Sequence, residues 1–276
     1  MKKKLRRQSV FLAVLAVVFA AVLLFAGYQA LKIYLPQSSE SRSFEKLKQD
    51  AGLTDINPAE LVSQEQPTGS ASSAEEKAPE SSGGEPDSGI SSLAAQNSDF
   101  VGWLTVQETD IDYPVMKSSE NDPEFYLHRD FDKNYSYSGT LFIGEGCNAD
   151  SDIFVIYGHN MNAGTMFGTL DSFRDPVFAS EHQYILFRTP AGNRVYRVFA
   201  AFQTQIVPEN SDAFAYYRAV GKLNKGEFDY AVENIQRMSL INLNAAPAYG
   251  QNIMLLSTCY YHTDDGRFVV AAYRVK

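Results

Sequence analysis

Short hydrophobic runs separated by polar turns dominate the last two thirds of the chain. The runs are rich in Val, Ile, Phe and Tyr, which is typical of strands that are at least half buried. Many short strands of this kind predict a mostly β domain, in the form of a closed or nearly closed barrel of about eight strands. The runs are residues 100–106, 111–116, 139–144, 152–159, 183–189, 193–206, 251–259 and 267–275.

The second run, IDYPVM, contains Pro114. Proline has no backbone N–H to donate to a neighbouring strand, so it is usually confined to strands at the edge of a sheet. We therefore predict that residues 111–116 form an edge strand.

Helical patterns interrupt the strands at three places. The stretch LAAQNSD closes a short helix before the first strand, and AGTMFGTLDSF (163–173) predicts a second short helix. A longer insertion lies between residues 208 and 250, just before the run that ends in Cys259. Its apolar residues recur at helical spacing and predict a helix packed on the barrel. They are Phe228, Ala231, Val232, Ile235 and Met238.

An uncharged apolar run near the N-terminus, residues 10–27, follows five basic residues. About 20 helical residues cross the hydrocarbon core of a membrane, and basic residues in front of a span favour a cytoplasmic N-terminus. We predict a cytoplasmic tail (1–9) and a single membrane anchor (10–35), with the rest of the chain outside. A cleaved signal peptide is the competing interpretation.

Residues 63–92 are dominated by Ser, Glu, Gly and Pro and contain almost no large apolar residue. Such a segment cannot bury enough surface to offset the entropy of ordering it. We therefore predict an extracellular flexible stalk over residues 36–92, with a short helix of undetermined packing near its start. The folded domain would then span residues 93–276.

The net charge of −9 argues against nucleic acid as a partner, because phosphate binding needs a basic surface. The chain also contains no GxGxxG or P-loop motif, so its sequence indicates no nucleotide cofactor.

The chain has only two cysteines, Cys147 and Cys259. Outside the membrane they could form a disulfide. Alternatively Cys259, at the end of an apolar run, is a small buried side chain or a nucleophile. A nucleophilic thiol needs a nearby cation or a base such as histidine.

Four histidines are candidates for that base. His159 ends the run DIFVIYGH, where Gly158 allows the chain to leave the strand, and a rigid strand end suits a catalytic group. Spacing alone favours the simpler interpretation, an ordinary polar residue at a strand end. The other three lie in charged or loop segments: His128, His182 and His262.

Arg267 opens the run that follows Cys259 after a short turn. If the two runs pair as antiparallel strands, its guanidinium can reach the space above the sulfur and bind a developing oxyanion. The alternative is a salt bridge to Asp264 or Asp265.

Several motifs resemble those of sortases, the membrane-anchored cysteine transpeptidases of Gram-positive bacteria. The His, Cys and Arg signatures of that family are similar to YGHNM (157–161), LSTC (256–259) and GRFVV (266–270). The tract NSDFVGWLTVQETDIDYPVM and the helical insertion resemble the class B branch. The resemblance covers essentially all of residues 94–276 and implies a sortase-type barrel.

The resemblance also implies a role for each matching residue. Cys259 would be the nucleophile, His159 the general acid and base, and Arg267 the group that stabilises the oxyanion. Ser257 and Thr258 would line the substrate groove beside the sulfur. The family needs no metal or other cofactor for its chemistry, and Cys147 has no catalytic counterpart.

The partners implied are exported proteins with a C-terminal sorting motif, cleaved after Thr, and an amine acceptor. That acceptor would be a peptidoglycan precursor of the cell wall or a lysine of a pilin. Two other functions stay open on the sequence. One is an extracellular thiol protease, a hydrolase that passes its acyl-enzyme to water; the other is a non-catalytic anchored surface-assembly module.

Overall fold

Eight strands close into one barrel in the order β1-β2-β3-β4-β7-β8-β6-β5. The computed structural model describes residues 15–28, 40, 42–63, 87–260 and 263–276. The predicted mostly β fold with a closed eight-stranded barrel is confirmed. The strands are β1 (Phe100–Val106), β2 (Asp112–Met116), β3 (Leu141–Ile143), β4 (Ile153–Tyr157), β5 (Tyr184–Thr189), β6 (Gly192–Gln205), β7 (Ile253–Cys259) and β8 (Gly266–Arg274).

Four α-helices with defined bounds lie around the barrel: α1 (Pro58–Ser63), α2 (Ser88–Gln96), α3 (Pro176–Glu181) and α4 (Lys225–Met238). The predicted helix before β1 is α2, whose N-terminus is capped by the Asp87 side chain. The predicted helix of the insertion is α4, which begins with a capping box between Asn224 and Glu227.

Helix α4 packs on the barrel through the face that the sequence predicts. Phe228, Ala231, Val232 and Ile235 are buried, and Met238 packs partly buried against the same core. Because this face has the 3.6-residue spacing of a helix, its burial accounts for most of the stability of the element.

The prediction that residues 111–116 form an edge strand is wrong. Strand β2 pairs with β1 on one side and with β3 on the other. Its pairing with β3 involves only Val115 and Met116. Pro114 therefore lies beyond the ladder on that side, and its missing N–H costs no hydrogen bond.

The helix predicted over residues 163–173 is largely absent. The segment is a series of turns followed by a short 3-10 helix, Leu170–Arg174. Met166 has a positive φ of 55° and Gly164 one of 80°. Left-handed conformations at both positions are incompatible with a continuous right-handed helix.

The chain divides into two units, Met1–Ser43 and Phe44–Lys276. In the first unit, residues 15–28 are helical. Within the described ranges, no helix combines the length and the hydrophobicity that a membrane crossing requires. The predicted anchor (10–35) extends beyond these ranges at both ends and stays a prediction, as does the cytoplasmic tail (1–9), which lies outside them.

Residues 44–63 differ from the predicted stalk because they pack on the barrel. Phe44 and Leu53 are buried in the core. The Lys48 ammonium lies 2.5 Å from Asp112 of β2, and the Thr54 carbonyl accepts a hydrogen bond from Arg188 of β5. The compact unit thus begins at Phe44 rather than at residue 93. Residues 64–86 of the predicted stalk lie outside the described residues.

We expect Phe44→Ala to lower the free energy of unfolding of a 44–276 fragment by about 3 kcal/mol, because it removes a buried aromatic ring. Denaturant unfolding of the two proteins would measure the difference. Glu45→Ala, at an exposed neighbour, should change stability by no more than about 0.5 kcal/mol. Equal effects of the two substitutions would contradict the packing of this segment on the barrel.

Candidate active site

The parallel pairing of β4 and β7 brings the two predicted reactive groups together. Tyr157 lies opposite Ser257 at the aligned ends of these strands. His159 and Cys259 each follow two residues later in the chain, so both leave the barrel at the same end of neighbouring strands. The Asn160 side-chain amide donates a 2.8 Å hydrogen bond to the Cys259 carbonyl and joins the two segments directly.

Arg267 lies directly opposite Cys259 in the antiparallel pair of β7 and β8. Side chains at opposite positions point to the same face of a sheet, with Cβ atoms about 5 Å apart. The guanidinium donates to the carbonyl of Gly266 at 3.0 Å. In the described residues, no salt bridge joins Arg267 to Asp264 or Asp265, so the cation is available on the face that carries the thiol.

The ring of His159 is oriented by a backbone carbonyl. Its Nε2 lies 3.0 Å from the oxygen of Leu127. A carbonyl oxygen only accepts hydrogen bonds, so Nε2 carries the proton that forms this bond. In the neutral ring Nδ1 is then the nitrogen that can accept a proton.

Burial is the main cause of a lowered pKa for His159, below the usual 6.5. The hydrogen bond to Leu127 opposes this effect, and the positive charge of nearby His128, when that ring is protonated, adds to it. The neutral, proton-accepting form of His159 is therefore favoured at physiological pH.

A short 3-10 helix, Phe125–His128, holds the Leu127 carbonyl in place. The buried Tyr126 donates from its hydroxyl to Asp99, just before β1, at 2.8 Å. Gly139, with φ of 61°, packs against this turn, and a Cβ there would overlap the Leu127 carbonyl oxygen. Only glycine combines this φ with so close an approach.

Ser257 and Thr258 both line the cleft beside Cys259, but both are almost fully buried. The Ser257 hydroxyl lies 2.7 Å from that of Tyr216, in the insertion. The Thr258 hydroxyl donates to the carbonyl of Gly158 at 2.7 Å. These contacts tie β7 to the insertion and to the segment of His159, while direct contact with substrate stays a prediction.

Three residues of the site were not singled out from the sequence. For Asn160, the sequence signal that could have identified it is its position next to His159 in the motif YGHNM. Tyr157 and Tyr216 lie close enough for each to affect the pKa of the other, and both lie in the electrostatic field of Arg267. Burial raises the pKa of Tyr216 to about 12 and also raises that of Tyr157, so both hydroxyls stay protonated.

The groups surround a cleft of about 540 Å³. Apolar and aromatic side chains form much of its wall, and carboxylates stand at its rim. Its lining includes Glu124, Leu127, Phe142, Glu145, Tyr157, His159, Ile206, Tyr217, Cys259, Asp265 and Arg267. The described ranges contain no group of three or more His, Cys, Asp or Glu residues that could hold a metal ion.

Both cysteines are free thiols, so the disulfide that the sequence left open is not formed. Cys147 is buried, with its sulfur 3.5 Å from the Gly144 carbonyl, and burial raises its pKa. A buried thiol of this kind is a poor nucleophile. Cys259 is partly exposed and lines the cleft.

The remaining histidines divide into three cases. His128 lies beside the site, with its ring centroid 5.3 Å from that of His159. His182 follows α3 and bonds the carbonyl of Gln107, and it does not line the cleft. His262 lies outside the described residues.

Comparison with known proteins identifies relatives of this arrangement. A family model described as a sortase domain matches residues 104–275. Sortase B of Staphylococcus aureus is 26% identical over 275 residues, which cover 98% of this chain and 99% of that protein. Sortase B of Listeria monocytogenes is 29% identical over 185 residues, which cover 64% of this chain and 70% of that protein.

A solved structure of a Staphylococcus aureus sortase B–substrate complex has a similar fold. Its TM-score is 0.67 at 24% identity, and the match covers 88% of this chain and 99% of that one.

We expect the His159 ring to titrate with a midpoint below 6.5, because burial disfavours its cation. The ring carbon and nitrogen shifts, followed by NMR across pH 4 to 8 and assigned with His159→Gln, would give the midpoint. A midpoint at or above 6.5 would contradict the burial of this side chain.

Proposed function

This chain belongs to the sortase family of transpeptidases, in its class B branch, and we propose that Cys259 is the nucleophile of its transpeptidation. The enzyme cleaves a C-terminal sorting motif of exported proteins after Thr and transfers the new carboxyl end to an amine. The observation that carries this proposal is the convergence of Cys259, His159 and Arg267 on one cleft.

The first half of the reaction forms a thioester. The sulfur of Cys259 attacks the Thr carbonyl carbon while its proton passes to Nδ1 of His159. The tetrahedral intermediate then breaks its C–N bond, and the same proton passes from His159 to the leaving amine. The hydrogen bond from Nε2 to Leu127 supports this role, because it leaves Nδ1 as the nitrogen that exchanges the proton.

Arg267 stabilises the negative charge that develops on the Thr carbonyl oxygen. Its position opposite Cys259 supports this role, since the oxygen lies within one bond of the attacked carbon. A guanidinium offers a planar fork of N–H donors, so it can bind the oxyanion with more than one directed hydrogen bond.

The second half of the reaction reverses these steps with a new amine. His159 removes a proton from the acceptor, the amine nitrogen attacks the thioester carbonyl, and the C–S bond breaks to return the thiol. The thioester retains much of the free energy of the cleaved amide, so no nucleotide is needed. We propose a cell-wall precursor or a pilin lysine as acceptor; a sortase B solved in complex with triglycine supports an amine ligand for this family.

The position of the enzyme in the cell envelope is part of the proposal. The basic N-terminus and the apolar run at residues 10–27 support a single-pass anchor with a cytoplasmic N-terminus. The catalytic unit then lies outside the membrane, where exported substrates and wall precursors occur. Residues 64–86 join the segment 44–63 to α2 within the same unit, and their sequence is dominated by Ser, Glu, Gly and Pro.

We expect Cys259→Ala to abolish both cleavage and ligation, and His159→Ala to reduce them by at least about 10³-fold. The 44–276 fragment would be incubated with a panel of sorting peptides and amines, including triglycine, and mass spectrometry would detect the acyl adduct and the products. Cys147→Ala is the matched control and should retain activity. Turnover by Cys259→Ala would exclude the mechanism, and a hydrolysed product without any ligation would indicate a protease.

Arg267→Lys should lower kcat by about 10²-fold, because an ammonium group cannot reproduce the planar fork at the oxyanion. The effect should fall on kcat more than on KM, since the charge exists only in the transition state. Steady-state kinetics with one peptide and one amine would separate the two constants. Unchanged kcat in this variant would rule out the oxyanion role.

A further inference from the structure

Among the described residues, His159 lacks the side-chain partner that usually orients a catalytic histidine. In cysteine and serine enzymes that use a triad, an acidic or amide side chain bonds the second ring nitrogen. Within the described ranges, that nitrogen of His159 instead bonds the Leu127 carbonyl, and none of the ion pairs involves its ring. One hydrogen bond fixes the edge of an imidazole but leaves its plane free to rotate about that bond.

The ring of His128 lies next to the ring of His159. The two ring centroids are 5.3 Å apart and the planes are inclined by 33°. This separation falls in the range of attractive contacts between aromatic rings. Because His128 directly follows Leu127, a single turn of chain supplies both the carbonyl that bonds His159 and the ring that packs on it.

The His128 side chain is exposed, yet the chain around it is well supported. Its ring stacks on that of Tyr135, with centroids 6.3 Å apart and planes inclined by 22°. Its carbonyl accepts a 3.1 Å hydrogen bond from the Ser136 amide. The carbonyl of Arg129, the residue after His128, accepts a 2.8 Å hydrogen bond from the Thr140 hydroxyl. These contacts give the ring a defined place without burying it.

We propose that His128 is a positioning residue, whose ring holds the imidazole of His159 in the plane needed for proton transfer. The proposal rests on the proposed function of His159 as the acid and base. The flat aromatic surface of His128 performs this role. Another flat aromatic ring at this position should therefore preserve the orientation of His159, whereas a small side chain should not.

The experiment compares His128→Ala with His128→Phe in the full chain, with the peptide and amine that the unsubstituted enzyme ligates. We expect His128→Ala to lower kcat about tenfold, because a misoriented catalytic group loses much of its advantage, with KM changed less than about twofold. His128→Phe should stay within about threefold of the unsubstituted enzyme. Tyr230→Ala, at another exposed aromatic residue outside the cleft, should leave both constants unchanged.

A second readout needs no substrate. A neighbouring aromatic ring shifts the NMR signals of the His159 ring protons, so His128→Ala should move these signals and His128→Phe should largely restore them. Ligation of peptides by the unsubstituted enzyme tests the proposed function separately. If nothing is ligated, that function fails, while the NMR comparison still tests the ring contact.

Three results would overturn the inference. The first is a kcat for His128→Ala within about twofold of the unsubstituted enzyme. The second is a loss in His128→Phe as large as that in His128→Ala. The third is an NMR spectrum of the His159 ring that is the same with and without the His128 ring.

Discussion

The parallel pairing of β4 with β7 is the constraint from which the cleft is built. Five consecutive pairs, from Ile153–Ile253 to Tyr157–Ser257, fix the register of two strands that are about a hundred residues apart in the chain. A slip by one residue would turn Ser257 and Cys259 to the other face. The buried apolar residues of both strands prevent that slip, so the core sets the position of the thiol relative to His159 and Arg267.

Hydrogen bonds around the ends of β4 and β7 then fix the orientation of the residues that line the cleft. The loop before β3 carries Leu127 to the edge of the His159 ring, and Gly139 allows the close approach that this requires. Asn160 and Thr258 bond carbonyls across the gap between β4 and β7. Backbone carbonyls therefore orient much of this site, including the ring of His159.

The sequence predicted the barrel well because its strands are local patterns: every one of the eight runs overlaps a strand, with bounds that differ by a few residues at most. It also supplied His159, Cys259 and Arg267, through motifs at strand ends. Residues 44–63 were misjudged because their packing depends on distant partners, such as Asp112 for Lys48, that no local pattern reveals. The edge-strand prediction from Pro114 was wrong for a related reason. A proline is compatible with a paired strand if it lies beyond the hydrogen bonds to the neighbouring strand, and the sequence does not show where the pairing of β2 with β3 stops. The contact of His128 with His159 likewise arises from tertiary structure alone.

Closure of the barrel has a consequence for recognition. In an open sheet, an extended peptide can bind by adding a strand to a free edge, and main-chain hydrogen bonds then supply affinity for almost any sequence. Here β5 pairs with β1 and completes the ring of strands, so that generic mode is blocked for the barrel. An extended peptide in the cleft would therefore be held by the groups that line the cleft and not by a free strand edge.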